Sequence, residues 1–155
     1  MENHLENLSK AVKNIRIADH MIYITYPVIK DKRLLIKALE HINDSVVCIV
    51  NSILQYDYLH KRISLYPDSK DNLEIFLLKC APRYNITPEE KAEIKEILAT
   101  AESHRKSPME FSRRERIVIM SNDLKTTVID AENLKKYLSL AKNITNKAKF
   151  VMSIP

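Results

Sequence analysis

Arg16, Asp19, His20 and Tyr23 fall in one stretch, Arg16-Ile-Ala-Asp-His-Met-Ile-Tyr23, and all are types that move protons or bind phosphate. On a helix Arg16, His20 and Tyr23 share one flank, being four and three residues apart. Asp19 lies beside them, nearer the core. His41 and Glu40 are placed to face them from a following helix. An Asp that orients and charges a His, with an Arg close by, suits acid–base cleavage of a phosphodiester. An inward Asp needs a hydrogen-bonding partner with or without catalysis. The commoner meaning of such a group is therefore a satisfied polar cluster that fixes helix register.

The pattern Arg16-x3-His20-x2-Tyr23 resembles the motif of the HEPN-type helical nucleases. Those domains are helical bundles carrying Arg, four to six residues, then His, often with a Tyr shortly after. Here the spacing is three, and the motif falls in the first helix rather than late in the bundle. The resemblance implies a ribonuclease working through Arg16 and His20. The stretches ADHMIYITYPVIKDKRLLIKALE and SPMEFSRRERIVIMSNDLKT are similar to small uncharacterised archaeal helical proteins. That likeness spans most of the chain and implies no particular activity.

A second polar cluster is Tyr56-Asp57-Tyr58-Leu59-His60-Lys61-Arg62. His60 continues an apolar seam and Asp57 lies near it, so Asp57 and His60 are expected to form a polar pocket with Arg83 and Tyr84. The plainer alternative is a fraying helix end whose His and Tyr keep their polar tips wet. A third is the basic run of His104, Arg105 and Lys106, then Arg113, Arg114 and Arg116. With Lys125 and the lysines of the last helix it suits phosphate contacts with RNA. Phe111 is the one aromatic close by, which gives base stacking little support. A charge run more often marks a solvated face, here partly neutralised by Glu110 and Glu115.

Several chemistries are excluded by composition. The chain has no glycine, so it has neither a P-loop nor a dinucleotide fingerprint. Cys48 and Cys80 form no CxxC pair, and no His, Cys, Asp or Glu group has metal-ligand spacing. No cofactor and no metal are expected, and the cysteines read as free buried thiols of a reducing compartment. No signal peptide is legible, and no apolar run reaches the roughly 18–20 residues of a membrane span. The expectation is a cytoplasmic chain without a membrane partner. Its net charge of +5 suits anionic partners.

These clusters must be held by helices. Between Asp31 and Ile63, Leu35, Leu39, Ile42, Val46, Ile49, Ile53 and Tyr56 recur at alternating four- and three-residue steps, a helix seam. Flanking apolar residues leave only a narrow polar stripe, so this is a buried central helix, roughly 50 Å long. A first helix runs to about Tyr26 with a seam of Leu5, Leu8, Val12, Ile15, Asp19, Ile22 and Tyr26. Pro27 ends or kinks it and biases Tyr26 away from helical angles. The short link makes the first two helices antiparallel, with 16–20 opposite about 37–41.

Asp68 or Ser69 caps a short third helix that Pro82 stops. Thr87-Pro88-Glu89-Glu90 starts a fourth with a capping box, and Asp130 caps the last. Ile117–Met120 and Thr126–Ile129 read as a hairpin turning at 121–124. The fold is thus mainly α, one domain over 1–155: a bundle of about five helices around a long central one, with a small β-hairpin, about 116–129, before the last helix. Ile117 to Met120 is apolar on both faces, which implies cover on both sides, and open strand edges suit homodimerisation. The first functional reading is a small binding or scaffold protein, not an enzyme, that contacts RNA or a protein through the Arg105–Arg116 face. The alternatives are the HEPN-like ribonuclease and a purely structural subunit.

Overall fold

The computed structural model describes residues 3–107, 109–120 and 123–154, without the side chains of Met109, Phe111 and Arg113. Helix α1, His4–His20, starts at Asn3, whose side chain accepts the Glu6 N–H. It passes through a π-helical turn, Met21–Thr25, into α2, Tyr26–Ile29. Pro27 therefore does not end the helix, and Tyr26 keeps helical angles (φ −61°, ψ −44°). The cause is local. Pro27 lacks an N–H and its ring crowds the carbonyl four residues back, and the wider π turn makes room, with Tyr26 N–H bonded to Met21 O. The same device recurs before Pro82. Helix α4, Ser69–Ile75, opens into a π turn, Phe76–Cys80, then a 3-10 turn, Ala81–Tyr84.

The buried seam of α1 is Leu8, Ala11, Ile15 and Ala18, continued by Ile22 and Tyr26. The expected seam was rotated by about one position: Leu5 is exposed, and Val12 and Asp19 are half-buried. Ala11 and Ala18 take the inner positions because small side chains let α1 approach α3 closely. On α3, Ala38, Ser45 and Ser52 are likewise fully buried. Ser52 Oγ donates to His4 O at 2.7 Å, and the His41 ring meets Asn14 at 2.8 Å. These contacts fix the antiparallel register within about two residues of that counted from the turn.

Helix α3, Arg33–Leu59, is the central rod. Its 27 residues span about 40 Å, shorter than expected because the chain turns at His60 and Lys61. Ile63 is buried outside the helix. The exposed stripe is narrow: Arg33, Lys37, Asp44, Val47, Asn51 and Tyr58, with Leu59 exposed at the helix end. Helix α5, Pro88–Lys106, has the full capping box of Thr87 and Glu90. Helix α6, Ala131–Val151, starts at Asp130, whose side chain accepts the Asn133 N–H. Leu134, Leu138, Ala141, Ile144 and Ala148 turn inward as expected. Joining α1 to α2 through the π turn, the described residues make five helices, and the fold is mainly α.

The expected hairpin is present as β2, Arg116–Met120, and β3, Thr126–Ile129, and β1, Met109–Arg113, pairs on the other side of β2. All pairings are antiparallel, with Phe111 opposite Val118 and Val118 opposite Val128. Ile117, Ile119 and Ile129 are buried, and α5 packs on β2. Among the described residues the burial is on the face of Ile117, Ile119 and Ile129. Val118 and Val128 are half-buried and line an open depression. Of the expected turn, Ser121 and Asn122 lie outside the described residues, and Leu124 takes the left-handed φ of 64°.

Candidate functional site

The Arg16–Tyr23 group is dispersed over several contacts. The Asp19 carboxylate binds the Lys142 ammonium of α6. The His20 ring meets Thr25 Oγ1 at 3.2 Å, across the π turn. Tyr23 is exposed, with Lys135 Nζ 5.3 Å from its ring centre. His41 is taken by Asn14. Arg16 is exposed and lies between α1 and α6. Among the described residues no hydrogen bond joins Arg16, His20 and Tyr23 to one another.

The second cluster assembles in part, as a buried clamp. Asp57, near the end of α3, is fully buried. Its Oδ1 accepts from Tyr84 OH at 3.0 Å and from Arg62 Nη1 at 3.1 Å. Arg83 Nη1 stands 3.5 Å from Oδ2, which accepts no hydrogen bond among the described residues. Burial, and next the Asp57 carboxylate, push the Cys80 thiol from 9.0 up to about 12. Burial and then Asp57 also raise the Tyr84 phenol well above its ordinary range. At neutral pH both are protonated, so the cluster holds no activated nucleophile. It ties the end of α3 to the 3-10 turn. His60 does not belong to it. That ring is exposed, meets Tyr56 O at 2.9 Å and lies 4.3 Å from the Tyr56 ring, because α3 ends one residue earlier.

On the Arg105–Arg116 face, much of the positive charge is answered within the chain. Lys106 pairs with Glu102 at 2.7 Å, and Arg116 Nε lies 3.7 Å from Asp130. The His104 ring lies between Glu110 (2.7 Å) and Glu40 (3.6 Å), joining α5 to β1 and α3. Arg105 and Arg114 are exposed. The Arg113 side chain lies outside the described residues. Three of the α6 lysines turn to neighbouring helices: Lys142 to Asp19, Lys136 to Glu93, Lys147 to Glu90. They staple α6 to α1 and α5 instead of forming a free basic face. For Glu90, burial opposes ionisation, but Lys147 and the Thr87 cap outweigh it and hold the carboxyl below its ordinary value.

A different surface emerges between α1 and α6. Two adjoining depressions, of about 580 and 270 Å³, share Val12, Arg16 and Lys149 and form one trough. Leu5, Val12, Ile17 and Ile154 supply aliphatic walls, and Lys13, Arg16 and Lys149 supply charge. Among the described residues no carboxylate and no aromatic ring lines either depression. Sequence reasoning missed this trough because it assigned Leu5 and Val12 to the core. The legible signal was the recurrence of Leu5, Ser9, Val12 and Arg16 along one stripe of α1, read with Lys149.

Among the described residues no group of three or more His, Cys, Asp or Glu could hold a metal ion, and no helix is long and apolar enough to cross a membrane. Comparison with protein-family models, with curated proteins and with solved structures finds no match.

Proposed function

We propose that this chain is a small helical binding and scaffold protein, without catalysis of its own, whose α1–α6 trough receives an anionic partner. One observation carries the reading. Lys13, Arg16 and Lys149 converge on a trough that, among the described residues, is lined by no carboxylate, whereas Lys106 and Arg116 of the Arg105–Arg116 face stand beside Glu102 and Asp130. Uncompensated positive charge in a concave site draws anions. The polar groups that suggest catalysis are absorbed internally: Asp19 by Lys142, His20 by Thr25, Asp57 by Arg62 and Tyr84.

The test is binding of single-stranded RNA and of polyglutamate to the full chain, followed by fluorescence anisotropy at low and high salt. The expected result is salt-sensitive binding of at least one polyanion, weakened by Lys13→Glu/Arg16→Glu and little changed by Arg105→Glu/Arg114→Glu. The reverse ranking would return the reading to the sheet face.

A second copy of the chain is the other partner this reading includes. Val118 and Val128 line an open depression of about 710 Å³ on the sheet, whose edge strand β3 pairs with β2 alone among the described residues. Light scattering across a concentration series checks it: a mass of one chain at the highest concentration removes homodimerisation.

A further inference from the structure

Resting on the reading of the trough as an anion site, we infer that its occupant is an acidic amphipathic helix of a partner protein, seated apolar side down. The trough is not merely basic. Leu5 is 52 % exposed, and Val12, Ile17 and Ile154 add aliphatic surface beside Lys13, Arg16 and Lys149. From Leu5 to Arg16 the α1 wall runs about 17 Å, three helical turns. A ligand helix of that length presents apolar side chains at i, i+3, i+4 and i+7 to such a floor and carboxylates to both sides.

A nucleic acid fits less well. Its backbone would use the cations but press phosphates or sugars against aliphatic walls, and among the described residues no aromatic ring lines the trough to stack a base. An acidic helix satisfies both halves of the surface at once. Lys142 adds to this at the far end. Its partner Asp19 is half-exposed, so an incoming carboxylate can share the ammonium without leaving a buried charge behind.

The experiment uses the full chain and four labelled probes in anisotropy titrations. They are a three-turn acidic peptide with Leu at i, i+3, i+4 and i+7, a scramble of the same composition with no apolar face, a basic amphipathic peptide of equal length, and a single-stranded RNA. The expected order places the acidic amphipathic peptide about tenfold or more tighter than the scramble, roughly 1.4 kcal/mol, with the basic peptide weakest. Leu5→Ser should narrow the gap between amphipathic and scrambled probes. Lys13→Glu/Arg16→Glu should weaken both. Circular dichroism of each variant confirms the fold, since Leu5, Lys13 and Arg16 are all exposed. If RNA binds tighter than any peptide and the scramble equals the amphipathic probe, the helix inference fails while the anion reading stands. If the basic peptide matches the acidic one, or no anionic probe binds, the anion reading fails too.

Discussion

The phenol of Tyr84 donates a hydrogen bond of 3.0 Å to the carboxylate of Asp57, and both side chains are buried. Asp57 belongs to the last turns of α3, and Tyr84 to the 3-10 turn that follows the second π turn. One bond thus closes the excursion through 60–83 back onto the central helix, with Arg62 and Arg83 balancing the charge.

Removing the anion should cost more than removing its donor. Asp57→Ala leaves the Tyr84 hydroxyl unsatisfied and two guanidiniums without their partner, a loss of about 3–5 kcal/mol. Tyr84→Phe removes one hydrogen bond to a charged acceptor, about 1.5–3 kcal/mol. Urea unfolding followed by circular dichroism ranks the two. A Tyr84→Phe loss equal to that of Asp57→Ala would show the arginines to be passive.

The same clamp sets an alkaline limit. The Cys80 thiol is raised from 9.0 to about 12 in the folded chain, and Tyr84 is raised too. The unfolded chain therefore loses these protons first as pH rises. It then binds fewer protons than the folded chain, and stability falls with pH. The contribution is intact below about pH 9 and declines above it, with a slope of at most about 1.4 kcal/mol per pH unit for each proton. Cys80→Ala should flatten the decline between about pH 9 and 11. An identical slope in wild type and Cys80→Ala would remove the thiol from the account. Native Cys80 should also resist a thiol reagent that labels it readily in denaturant.

Elements whose cause is local were legible before any coordinates. The Thr87–Glu90 capping box, the Asp68 and Asp130 caps and the α6 stripe from Leu134 to Ala148 stand where residue type alone puts them. What escaped depends on another part of the chain. Pro27 reads as a terminator or a kink, and the π turn that absorbs its ring has no local signal. Met109–Arg113 has little strand character and becomes β1 because β2 offers it an edge. The α1 seam follows Ala11 and Ala18 because α3 presents its own small residues, and a heptad count favours the larger Leu5 and Val12. The site followed the same rule. Asp57, Arg83 and Tyr84 were grouped from type and spacing, but Lys142 against Asp19 joins residues 123 positions apart, which no local pattern encodes.

Glu90 should govern the acid limb. Its carboxyl accepts from Thr87 N–H at 3.0 Å and binds Lys147 of α6. Its folded value lies below the ordinary one, so this stabilisation is present above about pH 4.5 and is lost as pH falls further. Glu90→Ala should lower stability at pH 7 by about 1–2 kcal/mol, and by much less at pH 3. Thermal melts at the two pH values check the difference. A loss that stays constant with pH would mean that cap geometry matters and charge does not.

Cleavage of RNA is not expected. Arg16 lines the α1–α6 trough, and His20 is held by Thr25. Incubation of labelled single-stranded RNA with the purified chain should leave it intact, and His20→Ala should behave as wild type. Cleavage that disappears in His20→Ala, with the variant's melting curve unchanged, would establish the ribonuclease reading in place of the binding one.

The absence of glycine leaves a stability reserve at the helix ends. Lys30, Lys61, Asn85 and Ser153 each follow a helical segment and hold left-handed φ between 57° and 59°. At Lys61 the closure is complete: Arg62 N–H bonds to Asp57 O at 2.9 Å and Lys61 N–H to Tyr58 O at 3.0 Å, the double bond pattern that elsewhere carries glycine. A lysine there bears a Cβ crowded against its own carbonyl, at roughly 1 kcal/mol. Lys61→Gly relieves that strain, partly offset by the freer unfolded chain, and should raise the melting temperature by about 1–2 °C. Asn85→Gly should gain less, since asparagine tolerates this conformation. Equal gains at the two sites would assign the effect to the loss of a lysine charge or to the unfolded state, and a loss at Lys61 would mean that its side chain makes a contact worth more than the strain.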